Sequence, residues 1–476
     1  MAREVPQAPA HVSGGFRSVI DVFLSGEGLP FSQVLAAERI QRICRKHRCL
    51  FGVGTIYSTS VVLWAFLSQV LRDGKDAACQ AAVARIVAWR CEQGLEPPTA
   101  DTGDYCRARS KLVPAAIREI SCEVAEELEQ AAEPAWLWKG RHHAKLVDGF
   151  TFTMPDTPAN RVSYSQIKNQ KPGVGQPIAR AATIVSLATG AIMNLTFGAF
   201  EGKQTGETSL LRTLLRSFRA DDVVVMDRYY CSYMLLAMLL GQGTHACVRK
   251  HRYRQNGQRR VRRLGERDHL VVWQRPERPK WMDQSLYQRI PQALELREVC
   301  FRIIVPGYRT QFIEVITTLT DAGEYSREDL ADLYGFRWNA ELDIRVIKST
   351  LNLDHVRCKT PAMVETEVWT TVLGYNLIRT TAAGAAQLTG KKPRQVSFTA
   401  TCQYILAAWM QLSCGRLEPE QMTAYGLRVL KQIAGCEVAN RPGRIEPRAV
   451  KRRRNRYTLM AKPRHELRAE LRKVAA

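Results

Sequence analysis

The sequence predicts an α/β protein, with a helical N-terminal region, a strand-rich middle and further helices after it. Three observations predict this. Up to about residue 135 the chain carries helix caps and Gly or Pro stops. From about 140, apolar runs of strand length alternate with turn signals. At 221–243 an apolar strand pattern, DDVVVMD, leads through RYYC into the helical SYMLLAMLLGQG, the strand–helix alternation of an α/β layer structure. With 476 residues and 45% hydrophobic side chains, the chain is globular and too long for one core.

Each element has its own justification. STSVVLWAFLSQVLRDG (58–74) starts with Ser/Thr caps and stops near Gly74. DAACQAAVARIVAWRCEQG (76–94) is Ala-rich with a Gly stop, and PAAIREISCEVAEELEQAA (114–132) begins with Pro at a first-turn position. The strands HAKLVDGFTFTMP (143–155) and ARAATIVSLATGAIMNLTFGAF (179–200) follow, the second pair turning at ATG. A helix at about 207–218 separates them from DDVVVMDRYY. Strand, strand, strand, helix, strand, helix is the opening of an RNase H-like fold. Residues 244 to about 320 break the rhythm and read as a β-rich insertion, with a hairpin-like QNGQ at 255–258 and two strands in 297–321. A helix over YGFRWNAELDIRVIKS (334–349) comes next, helical segments fill about 362–435, and a basic tail carries KRRRNR at 451–456.

Charge points to the partner. Sixty-nine Lys and Arg stand against 46 Asp and Glu, a net charge of +23. So large an excess argues for a polyanion, and nucleic acid is the usual one. The longest apolar run, VVLWAFL at 61–67, is too short to span a bilayer, and the first twenty residues lack an apolar leader core. Thirteen scattered cysteines with no CxxC pair read as reduced thiols, so the expected compartment is the cytoplasm. Cys44, His47 and Cys49 lack a second ligand pair at zinc-finger spacing. The basic segment PPTADTGDYCRARSKL (97–112) suits either a domain presenting Arg107, Arg109 and Lys111 to DNA or a plain helical bundle. The expected division is a helical, DNA-binding part at 1–137; a first core part at 138–243; the insertion at 244–322; a second core part at 323–385; and C-terminal helices with the tail at 386–476.

Three carboxylates stand out. Asp148 lies in the first strand, Asp227 ends a later one, and Glu341 sits on the helix after the insertion. Phosphodiester cleavage needs divalent metal near the attacking and leaving oxygens, and Mg²⁺ prefers carboxylates drawn from separate elements. Each acid has a plainer reading. Asp148 precedes Gly149 as turn residues do, Asp227 could cap the next helix, and Glu341 could pair with Arg337 or Arg345. Their order and their strand and helix setting favour the metal reading. On a helix, Tyr334, Arg337, Glu341, Arg345 and Lys348 share one face.

Tyr334, two residues, Arg337, three residues, Glu341, six residues, Lys348 reproduces the Y-(2)-R-(3)-E-(6)-K signature of the IS4-type DDE transposases. From about 140 to 385 the chain resembles that family, with Asp148 and Asp227 at the places of its two aspartates and the long gap before Glu341 at the place of its β-strand insertion. The resemblance implies an RNase H-like core and cut-and-paste transposition at terminal inverted repeats of double-stranded DNA. It implies two Mg²⁺ ions, replaceable by Mn²⁺, on Asp148, Asp227 and Glu341, with Tyr334, Arg337 and Lys348 against DNA near the cleavage point. It also implies a homodimer in a synaptic complex, and a Trp from the insertion, Trp273 or Trp281, under a flipped base.

Other residues have weaker grounds. Asp156 sits in a Pro-flanked turn, Asp343 falls on a different helix face from Glu341, and His355 lies just beyond the helix. The runs 249–263 and 451–456 suit phosphate contact without sequence readout. Two alternatives stay open: an RNase H-like nuclease without strand transfer, and a transposase-derived DNA-binding protein without catalysis.

Overall fold

The computed structural model describes residues 35–92, 94–251, 259–302, 312–413, 419–438 and 459–474. The N-terminal part is helical: α1 (Ala37–Lys46), α2 (Thr59–Val70), α3 (Cys79–Glu92), α4 (Gly103–Arg109) and α5 (Pro114–Gln130). Ser58 caps α2, its side chain accepting from the Val61 N–H. Because α2 is apolar nearly all round, almost every residue of it is buried. α1 docks on α5 through a charged zipper, Arg39–Glu127 at 2.6 Å, Arg42–Glu123 at 2.9 Å and Lys46–Glu119 at 2.7 Å.

The middle builds one sheet. Strands β1 (Ala144–Thr153), β2 (Ile178–Ser186) and β3 (Ile192–Ala199) surround the short helix α6 (Pro158–Ser163) in sequence. Then come α7 (Glu207–Thr213), β4 (Val223–Met226), α8 (Tyr233–Leu240) and β5 (His245–Arg249). β6 (Arg259–Gly265), β7 (Asp268–Gln274), helix α9 (Gln284–Arg289), β8 (Ala293–Arg302) and β9 (Phe312–Thr317) follow. The nine strands lie in the order β3-β2-β1-β4-β5-β9-β8-β7-β6. β1 is antiparallel to β2 and parallel to β4, β4 is parallel to β5, and the pairs from β5 through β9 to β6 are antiparallel. The strands of the β-rich segment therefore extend the same sheet rather than forming another. QNGQ lies outside the described residues, as does the tail at 451–456.

Strand alternation sorts the side chains between two cores. Leu146, Phe150, Val223, Val225 and Cys247 join the larger core with the N-terminal and C-terminal helices, whereas Val147, Val224, Met226 and Val248 join the core under α7 and α8. β4 is buried on both faces, which is why it reads as a continuous apolar run.

After β9 come α10 (Arg327–Gly335), α11 (Trp338–Ser349) and α12 (Pro361–Gln387), then α13 (Phe398–Ser413), α14 (Pro419–Gly435) and α15 (Arg464–Val474). The single helix expected over 334–349 is two. The Arg337 N–H donates to the Tyr334 carbonyl at 3.1 Å and the Ala340 N–H to the Arg337 carbonyl at 3.0 Å, a tight 3₁₀-like joint after Gly335. α12, 27 residues long and mostly buried, is the axis on which the helices pack. Its buried Asn376 binds across the layers, the side-chain carbonyl accepting from the Ile192 N–H at 2.8 Å. Its amide donates to the carbonyls of Ile192 at 3.0 Å and Ser121 at 3.2 Å. Among the described residues no helix is long and apolar enough to cross a membrane.

Asn376→Ala removes the side-chain partner of the buried Ile192 N–H and carbonyl on β3, together with the tie to Ser121 on α5. It should destabilise the protein by about 3 kcal/mol, read as a lower urea midpoint at unchanged slope.

Candidate active site

The parallel register of β1 and β4 builds the site. Val147 lies opposite Met226, so Asp148 and Asp227, each one residue further, come level on adjacent strands. Alternation turns Asp148 to the face of Leu146 and Phe150, where α11 packs. Asp227 keeps extended backbone, φ −78° and ψ 169°, which carries its side chain to that same face. It does not cap the following helix. No cap bond forms from its side chain, and Ser232 caps α8 instead. Nor is Asp148 in a turn. Asp148 and Gly149 lie within β1, opposite Thr183 and Ala182.

Arg337, at the joint before α11, reaches across to β1. Its guanidinium lies 2.7 Å from Glu341 Oε1 and 3.7 Å from Asp148 Oδ2. Asp148 Oδ1 also accepts from the Gly149 N–H at 2.8 Å. Burial pushes the Asp148 carboxyl up to about 6, with Glu341 and Glu207 adding to the rise; the Gly149 N–H and Arg337 oppose it. Tyr334 is buried, and burial raises its hydroxyl, with Arg337 opposing the rise and Asp227 adding to it.

A fourth carboxylate lies behind these. A Cβ on Gly149 would fall 2.7 Å from Glu207 Cγ and 2.8 Å from Oε1, so any larger residue there would shift the Glu207 side chain from its place against β1. The buried Tyr230 donates to Glu207 Oε2 at 3.5 Å, and burial raises the Glu207 carboxyl. The visible signal for Glu207 was an acid opening the helix between β3 and β4; only the packing assigns it a place.

Among the described residues no three His, Cys, Asp or Glu side chains stand close enough to hold a metal ion as placed. The donors nevertheless fit a hard divalent cation. All are carboxylates, and two of them, one buried enough to be raised, share a guanidinium as counter-charge.

The Transposase DDE domain family matches residues 140–377, a span that holds Asp148, Asp227, Tyr334, Arg337, Glu341 and Lys348. The chain belongs to this family. It is also 29% identical over 361 residues to the Transposase InsG for insertion sequence element IS4 of Escherichia coli (strain K12), covering 74% of this chain and 76% of that protein. The chain is thus an IS4-type DDE transposase, and its function is that of a DNA transposase. A superposition on the piggyBac transposase synaptic complex with hairpin DNA covers 91% of this chain and 87% of that one. Its TM-score is 0.43 and its identity 11%.

Several other residues of the transposase now have places. Lys348 pairs with Asp354 at 2.7 Å, away from the three acids, and Arg345 is exposed, so Glu341 takes Arg337 as its partner. Asp156 is held by Arg161, and His355 Nδ1 lies 2.5 Å from Thr153 Oγ1 at the end of β1. Trp273 is 1% exposed, which buries its ring, and Trp281 is half-buried with the Arg212 guanidinium 3.9 Å from its ring centre on one face. The exposed aromatics beside the acids in sequence are Tyr229, Phe336 and Trp338. Arg107 pairs with Asp104 at 2.5 Å, while Arg109 donates to Gln69 at 3.1 Å over the Phe66 ring. His47 bonds Glu119 at 2.8 Å and is no zinc ligand as it stands.

Two outcomes are expected. A carboxyl raised to about 6 in the fold favours the folded state below its unfolded value near 4, and loses that contribution as pH rises through about 6. In EDTA, Asp148→Asn should therefore gain stability relative to the parent between about pH 4 and 6 and level off above, followed by calorimetry. Gly149→Ala should displace Glu207, lowering the melting temperature and suppressing DNA cleavage more than Ala199→Gly at the end of β3 does.

Proposed function

We propose that this DNA transposase cuts and pastes its own element, cleaving and joining DNA at terminal inverted repeats within an RNase H-like core. One observation carries the reading: two aspartates abreast on adjacent parallel strands, facing a helix whose glutamate shares an arginine with the first of them. The sheet supports the RNase H-like assignment, since β3-β2-β1 run antiparallel and β4 and β5 then add in parallel beside β1.

Asp148, Asp227 and Glu341 would hold two Mg²⁺ ions, or Mn²⁺ in their place, which supply Lewis-acid stabilisation of the attacking and leaving oxygens when bound. The rest of the reading concerns the chain's own groups. Arg337 turns from the carboxylates to a DNA phosphate, which frees Asp148 and Glu341 as ligands. Tyr334 walls the site beside Asp227, and Lys348, steadied by Asp354, takes a second phosphate along α11. A groove lined by Arg228, Arg249, Lys250 and His251 together with Cys300, Phe312 and Glu314, the last paired with Lys250, starts one residue past Asp227 and offers the duplex a net cationic path. On the sheet edge, β6 exposes Arg259, Arg260, Arg262 and Arg263 to the same polyanion. Joining two ends in concert calls for two copies of the chain. The nucleoid of a prokaryotic cytoplasm is the compartment that supplies such DNA.

The test is cleavage of a labelled duplex carrying the element's end, with Mg²⁺, by the parent and by Asp148→Asn, Asp227→Asn and Glu341→Gln. Each variant should bind the end and leave it uncut. Cleavage by any of them at the parent's rate would remove that residue from the site, and strand cutting without joining by the parent would favour a nuclease.

A further inference from the structure

Asp343 stands two residues past Glu341, roughly 200° around the helix from it. It is buried, and its carboxylate takes Arg379 of α12 on Oδ1 at 2.5 Å and Arg394 on Oδ2 at 2.8 Å, with the Tyr375 hydroxyl 3.1 Å from Oδ1. Arg394 also donates to the carbonyls of Ser186 at 2.6 Å and Leu187 at 2.5 Å. The Tyr375 hydroxyl lies 3.0 Å from the Gly190 carbonyl, and a Cβ on Gly190 would meet Arg379 Nε at 2.9 Å. The turn so gripped joins β2 to β3, and β2 pairs with β1 at Thr183 and Asp148.

We propose that Asp343 is a positioning residue for Glu341, its ionic clamp fixing the rotation and height of α11 against the strand that carries Asp148. The inference rests on the reading of Glu341 as a catalytic carboxylate. Its physical ground is that a buried ion triad is a poor source of stability, because desolvating three charges offsets most of their attraction; a well-packed apolar trio would serve a core as well. What an ionic clamp adds is direction. Two guanidiniums approach one carboxylate from α12 and from the one-turn helix Pro393–Gln395, and both ends of the network close on the same hairpin. The helix can then neither roll nor slide without breaking several buried bonds, and Glu341 on its other side keeps its distance from β1.

Asp343→Glu keeps the charge but lengthens the arm by one carbon, and Arg394→Lys keeps the charge but loses the fork. Both are compared with the parent at equal folded fraction, set by circular dichroism. Binding of the labelled end duplex in EDTA should stay within twofold. The single-turnover cleavage rate should fall about a hundredfold, as displacement of a reacting group by about an ångström costs. The Mn²⁺ concentration that half-saturates the protein–DNA complex, read by electron paramagnetic resonance, should rise about tenfold. If Asp343→Glu does not fold, Arg394→Lys decides. Rates and Mn²⁺ midpoints within twofold of the parent would overturn the inference, as would end binding that falls in step with the rate. Glu341→Gln separates the two readings: if it cleaves normally the catalytic assignment fails, and if it is inactive while both clamp variants cleave normally only the clamp fails.

Discussion

Everything about the site depends on one pairing, the parallel register of β1 with β4. It sets Asp148 and Asp227 level on neighbouring strands and turns both toward α11. Carboxylates gathered on a largely buried sheet face are costly to keep ionised, and the raised Asp148 carboxyl is the direct expression of that cost. Arg337 is the counter-charge available to two of the three acids. On the function proposed above, a divalent cation would take the place of the guanidinium once the arginine has another anion to bind.

The surroundings keep that frame rigid. Gly149 surrenders a side chain so that Glu207 can lie against β1 from the opposite face. Asn376 ties α12 to β3 and α5 through buried amide bonds, and Asp343 ties α11 to α12 and the β2–β3 turn. Such groups are expensive to bury unless every bond is made, so they specify one packing of helix on sheet rather than merely adding stability. The N-terminal helices share this larger core with β1, β4 and α12.

Much of this was legible in the sequence because the decisive signals are local. VVVM reads as a fully apolar strand, the two aspartates sit at recognisable places in their strands, and the Tyr, Arg, Glu and Lys spacing needs no tertiary information. The division of 334–349 into two helices was half visible in Gly335, but a 3₁₀ joint depends on what packs against it. Glu207 and Asp343 were not legible as members of the site. Their roles come from partners far off in sequence, Gly149 and Tyr230 for one, Arg379 and Arg394 for the other. The plainer alternative for Asp148, a turn residue before a glycine, has no place in a strand interior, where the missing side chain of Gly149 leaves room for a neighbour's carboxylate. The insertion strands read correctly as strands, yet nothing local announces that β9 pairs with β5 and continues the main sheet.

The central claim is that Asp148, Asp227 and Glu341 converge on divalent metal once DNA draws Arg337 away. The most direct measurement is the anomalous signal of Mn²⁺ in crystals of the transposase bound to an uncleavable end duplex. Density about 2.1 Å from oxygens of all three carboxylates, with Arg337 on a phosphate, is the result expected. Mn²⁺ absent from these carboxylates, with Arg337 still bridging Asp148 and Glu341 in the DNA complex, would contradict it.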